Sequence, residues 1–161
     1  MLFRNFNQAL IDNASSEYFF LMDFLGTTKS HDIGTVFAFI FDPTVRLSEE
    51  FTKHLAAASS DVYAILLSIR LTQHYAFVLQ KRRMPALDGY INSTNMLLWP
   101  RFQVLMDQHA ESLRRFGFPT GSRRGDDSIS PLGITQKFAG LLQGLLTLSE
   151  EERDDEPLVN R

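Results

Sequence analysis

Glu50 and His54 sit four residues apart, a spacing that places a carboxylate and an imidazole on one helix face, where a metal ion can be held. A bundle metal site also needs a matching pair from a facing helix. No Glu-x-x-His or His-Glu-x-x-His run supplies one, so the pair is expected to be a solvated i,i+4 contact. His31, His74 and His109 stand apart from it. His109 falls on an apolar seam and is expected as a hydrogen-bonded histidine in the core or on its flank. Nucleophilic chemistry finds no better footing. There are no cysteines, which excludes thiolate zinc sites, disulfides and cysteine nucleophiles together. No Gly-x-Ser-x-Gly elbow exposes a serine, and Gly117-Phe118-Pro119-Thr120-Gly121-Ser122 lacks the lysine of a phosphate-binding loop. These absences point to a chain that is not an enzyme, with no catalytic, metal or cofactor-binding residue and no cofactor.

Two clusters suit binding instead. Arg114-Arg115-Phe116 through Arg123-Arg124 interleaves cations with an aromatic ring, a pattern that suits RNA or a phosphoinositide. Asp126 and Asp127 partly neutralise it, and a flexible loop explains it as well. Lys81, Arg82 and Arg83 could dock an acidic partner, although cations at a helix C-terminus also stabilise the negative end of its dipole. Trp99, the only tryptophan, adjoins Pro100 and Arg101. Trp and Arg are enriched at interface hot spots, while packing at the bend is the plainer role for the ring. Lys81, Arg82, Arg83, Trp99 and Arg101 are the candidate protein-interface residues.

Helices must position these side chains. Between Pro43 and Pro85 there is neither glycine nor proline. Phe51, Leu55, Ala58, Val62, Ile65, Ile69, Thr72, Ala76 and Leu79 follow one another at alternating steps of four and three, a heptad seam. With Thr44 or Ser48 as N-cap and Pro85 as stop, the seam predicts one helix of about 35 residues, a rod roughly 50 Å long. Ser59-Ser60-Asp61 are cap formers that could split it, but the seam keeps its phase across them, and continuity is expected. Leu66, Leu67, Leu71, Tyr75, Phe77 and Val78 leave the seam, so this half should face several neighbours in a bundle.

Phe3, Phe6, Leu10, Ala14, Tyr18, Leu21 and Leu25 mark a first helix ended by Gly26, with Tyr18 to Leu25 apolar nearly all round and expected to be buried. Thr27 to Asp32 reads as a loop. Val36 to Phe41 fits a strand or a short helix; no partner strand is in sight, which favours helix. After Pro85 a further seam, Leu87, Ile91, Thr94, Leu98, Phe102, Leu105, His109, Ser112 and Phe116, slips once at Pro100, where a kink or break is expected. Residues 117–130 read as a mobile surface loop. Ser130-Pro131 caps a last helix with Ile134, Phe138, Leu141, Leu145 and Leu148 as its stripe, and 149–161 reads as a solvated acidic tail.

The fold class expected is therefore all-α, an elongated rod or bundle of about three to five helices, with residues 1–161 forming a single helical region. The hydrophobic fraction of 44% with 14 Phe supplies a core and argues against disorder. Net charge is -3, and Glu150 to Glu156 carries six acids against Arg153 alone, so the body is near neutral and no overall basic field draws nucleic acid or anionic lipid. The N-terminus lacks the pattern of a signal peptide. The longest near-apolar stretch, Ile33 to Phe41, is far short of the roughly 20 residues that span a bilayer. Any membrane association is expected to be peripheral and indirect.

Several runs carry a resemblance: Leu2-Phe3-Arg4; Ala9 to Ala14 with Glu17-Tyr18; Lys81-Arg82-Arg83-Met84-Pro85-Ala86-Leu87-Asp88-Gly89-Tyr90; above all Asn95-Met96-Leu97-Leu98-Trp99-Pro100-Arg101-Phe102; and Ile134 to Ala139. In these the chain resembles the vacuolar protein sorting-associated protein 52 family, as a fragment of a longer subunit. The resemblance implies a helical-rod tethering subunit of the CATCHR type, belonging to the Golgi-associated retrograde protein (GARP) complex and the related endosomal recycling complex. It further implies capture of endosome-derived vesicles on the cytoplasmic face of the trans-Golgi network and endosomes, by contact with other tether subunits, a Rab-type small GTPase and SNARE proteins. No enzymatic activity goes with it. Two rivals stand beside this reading: a nucleic-acid or phosphoinositide binder using Arg114 to Arg124, and a self-assembling helical structural protein.

Overall fold

The computed structural model describes residues 2–25, 30–115 and 133–154. Five α-helices account for nearly all of them: α1 (Leu2–Leu25), α2 (Ser30–Ala58), α3 (Val62–Lys81), α4 (Asp88–Arg115) and α5 (Gly133–Asp154), with a 3-10 turn at Pro85–Leu87 before α4. No strand occurs among the described residues, and Val36 to Phe41 is helical. The all-α class holds. The chain divides into two units, Met1–Leu105 and Met106–Arg161.

In the first unit the direction of each helix follows from the pairs it makes. Phe6 meets Phe51 and Tyr18 meets Phe37 at ring separations of 4.5 and 5.6 Å, so α1 and α2 run antiparallel. Tyr75 donates to the Arg4 carbonyl and Arg82 to the Asp12 carboxylate, so α3 runs parallel to α1. Ser93 donates to Glu49, and Arg101 to the Ser59 carbonyl, which sets α4 parallel to α2. A core cluster joins Leu10, Ile11, Ala14, Tyr18 and Leu21 of α1 to Ile33 and Phe37 of α2, Tyr75 and Leu79 of α3, and Met84, Leu87, Tyr90 and Ile91 at the α3–α4 corner. Each buried Leu, Ile, Phe or Met side chain among these contributes about 1.5–3 kcal/mol when removed from water.

The expected 35-residue shaft is two helices, and its N-terminal end is misplaced. α2 begins at Ser30, within the stretch read as a loop, and runs through Pro43 to Ala58. Thr44 and Ser48 are not caps; Ser48 lies inside the helix and donates to the Thr44 carbonyl. Pro43 is tolerated because it and Phe39, whose carbonyl loses its donor, both face water, which hydrates the freed oxygen. Pro100 repeats this: α4 runs through it unbroken, and Met96 is exposed.

The break falls at Ser59-Ser60-Asp61. The Ser59 N–H makes a last helical bond to the Leu55 carbonyl, Asp61 takes extended dihedrals, and its carboxylate accepts from the Tyr63 N–H. That is an N-cap. The seam cannot reveal it, because Val62 resumes the phase that Ala58 leaves.

α3 ends in a Schellman closure. The Met84 N–H donates to the Leu79 carbonyl and the Arg83 N–H to the Gln80 carbonyl, both at 3.0 Å. Arg83 occupies the left-handed position at φ 54, where glycine is usual, and Met84 and Leu79 are both buried. Pro85 follows as the stop. Among the described helices α3 is long and apolar enough to cross a membrane by length and composition, but one face of it is core.

In the second unit, Leu141, Leu145 and Leu148 of α5 are half-buried, whereas Phe138, Leu142 and Leu146 are exposed. α5 continues to Asp154, taking in the first half of the segment read as an acidic tail. Glu150 to Glu152 are sound helix formers, and no breaker intervenes before Pro157. The Ser130-Pro131 cap, the 117–130 loop, Gly26, Phe116 and the side chain of Ile134 lie outside the described residues.

Candidate docking surface

The five candidate interface residues do not form one patch. Arg82 turns back onto α1: both terminal guanidinium nitrogens lie 3.1 Å from one Asp12 carboxylate oxygen, and one of them also donates to Ser15 Oγ at 2.9 Å. Gln8 donates to the other Asp12 oxygen at 2.7 Å. The Gln8 bond does most to hold the Asp12 carboxyl below its ordinary value; desolvation opposes it, and the hydrogen bond and charge of the Arg82 guanidinium add to the lowering. Arg101 is likewise engaged internally, its Nε and one terminal nitrogen 3.2 and 2.7 Å from the Ser59 carbonyl oxygen.

Lys81, Arg83 and Trp99 remain exposed. Trp99, expected to pack at a bend, is 46% exposed and meets Phe102 edge-on at 5.9 Å. Eleven residues of α4 precede it, about 16 Å of helix, so Trp99 stands well away from the cationic turn.

Glu50 and His54 are both exposed, and among the described residues no group of three or more His, Asp or Glu is placed to hold a metal. His109 is exposed and not in the core. Arg114 and Arg115 both pair with Glu111, at 3.8 and 3.0 Å; the rest of the Arg114 to Arg124 cluster lies outside the described residues.

Beneath α4 lies a polar core. The Tyr90 hydroxyl donates to Asn7 Oδ1 at 2.6 Å, and Asn7 donates to the Phe3 carbonyl. Burial pushes the Tyr90 hydroxyl up, opposed by the hydroxyls of Thr94 and Thr52. These contacts fix the register of α4 on α1.

What the sequence reading missed is apolar surface. Tyr18 to Leu25 was expected to be buried, yet Phe19, Phe20, Met22, Phe24 and Leu25 are exposed, with Phe20 and Phe24 stacked at 5.8 Å. Phe39 of α2 is 85% exposed. An all-round apolar pattern states that several faces want partners; in the first unit α2 and α3 cover only one side of α1. Leu67 and Phe77 of α3 also point outward.

This architecture defines an all-α helical bundle whose described surface carries large apolar side chains on several helices. A family described as "Vps52, C-terminal" matches residues 1–161; the chain belongs to that family. It is 36% identical over 93% of its length to vacuolar protein sorting-associated protein 52 of Schizosaccharomyces pombe. Identity to the Saccharomyces cerevisiae protein of that name is 34% over 98% of the chain, and to the Arabidopsis thaliana protein 52 A it is 29% over 99%. The chain spans 29%, 27% and 21% of these relatives. No solved structure matches.

Proposed function

We propose that the chain is a non-catalytic part of a vesicle-tethering subunit in protein transport from endosomes to the trans-Golgi network. It works by contact with other tether subunits of a GARP-type complex, with a Rab-type small GTPase and with SNARE proteins, on the cytoplasmic face of those membranes. The observation that carries this reading is the match of the whole chain to the Vps52 C-terminal family, whose curated members are named for vacuolar protein sorting. The exposed apolar side chains support it, since a tether needs surfaces that partners cover.

The mechanism is a set of separate helices held at defined corners, not one shaft. Arg82 and Arg101 set corners, and Lys81, Arg83 and Trp99 are the candidates left to meet a partner. Contacts held at fixed spacing raise the effective concentration of one membrane near another. Deleting the gene in its own organism should release a soluble vacuolar hydrolase into the medium. Undisturbed sorting in the deletion would contradict the proposal.

A further inference from the structure

We propose that the outward face of α3 docks an acidic amphipathic helix from a partner protein. α3 has two opposed stripes. Val62, Ile65, Ile69, Thr72 and Leu79 are buried. On the other side, Tyr63, Leu67, Arg70, His74, Phe77 and Lys81 recur at alternating steps of four and three, so they line up over about 27 Å of helix. Leu67 is 48% and Phe77 51% exposed, His74 and Lys81 are exposed, and Arg70 is half-buried. Between Val62 and Lys81 there is no aspartate or glutamate. The stripe therefore joins apolar knobs to positive charge with no compensating acid on its own helix.

Lys81 alone needs no partner to explain it, because a cation suits a helix C-terminus. Arg70 and His74 lie in mid-helix, outside the reach of that effect. Alternating steps of three and four are the spacing at which a second helix seats its side chains between those of the first. Charge complementarity then selects the occupant: a helix with apolar residues at the same spacing, flanked by Asp or Glu that meet Arg70, His74 and Lys81. A bilayer fits less well. A helix lying in a membrane surface keeps its cations on the face away from the lipid, whereas Arg70 sits between Leu67 and Phe77 and would enter with them. The inference does not depend on the tethering role.

The test places the photoreactive analogue p-benzoylphenylalanine at position 77 of the full-length protein in its own cells, and identifies the cross-linked species by mass spectrometry. The expected product is a partner peptide with apolar residues three and four apart and a clear excess of Asp and Glu. Combining the label with Arg70→Glu and Lys81→Glu should lower its yield at least tenfold; Arg70→Lys with Lys81→Arg should preserve it. A cross-link to lipid, to a second copy of this chain or to a peptide without acidic residues would overturn the proposal. So would no cross-link, or a yield indifferent to charge reversal in a variant whose circular dichroism and melting match the parent.

Discussion

The two corners described in the first unit, α2–α3 and α3–α4, turn the chain by different physics. At the α2–α3 corner the contacts are polar: Asp61 caps α3, the Asp61 N–H donates to Ser59 Oγ, and Arg101 donates twice to the Ser59 carbonyl. At the α3–α4 corner the weight is apolar. Met84 and Leu87 are buried in the core that joins α1, α2 and α3, while Arg82 and Asp12 pair at the surface. A polar corner depends on a few directed bonds and should loosen locally when one is lost. An apolar corner depends on filled volume, so a loss there should be felt by the whole unit.

The largest expected effect is at the apolar corner. Leu87→Ala should cost about 2–5 kcal/mol, read as a fall in the chemical-denaturation midpoint that is the same for probes on α1 and α4. At the polar corner, Arg101→Ala leaves the half-buried Ser59 carbonyl without its charged donor and should cost about 1–3 kcal/mol. Hydrogen exchange should quicken first around residues 59–65, and uniform acceleration across α1 to α4 would erase the distinction between the corners. Asp61→Ala removes the N-cap and should cost about 1 kcal/mol, with Asp61→Asn recovering most of it; equal losses in both would argue against a capping role.

The smallest effect concerns Asp12. Its carboxyl titrates below the ordinary value when folded, so the unfolded chain binds the proton more readily. The stability it adds is full above the unfolded pKa and is lost as pH falls through the lower folded pKa. An exposed pair of this kind contributes less than about 1 kcal/mol. Asp12→Asn should therefore lower stability slightly at neutral pH, by less than about 1 kcal/mol, and leave it unchanged below the folded pKa, which flattens the acid limb of a stability-against-pH curve.

The pattern of residues made the helices and the stop at Pro85 legible and hid the α2–α3 corner. Leu87, Ile91, Thr94, Leu98 and Leu105 fall in the core as their spacing predicts, because burial repeats with the helical period. The same period hid the break at Ser59 to Asp61, since both helices keep one phase and what ends α2 includes a guanidinium 42 residues away. It also mistook the buried positions of α2, where Ser48, Thr52 and Ala56 are buried while Phe51 and Leu55 are only half-buried. Small residues suit a close helix approach, and hydropathy does not score that. Of the candidate site, the outlying Leu67 and Phe77 were visible as departures from the seam; their facing outward beside Arg70 required knowing which side α1 covers.

The central proposal is that this bundle acts through its outward helix faces. It is tested most directly by vacuolar hydrolase sorting in cells whose only copy of the full-length protein carries Arg70→Glu and Phe77→Glu. The account predicts hydrolase in the medium while the variant accumulates and melts as the parent does; full retention in the vacuole by such a folded variant would contradict it.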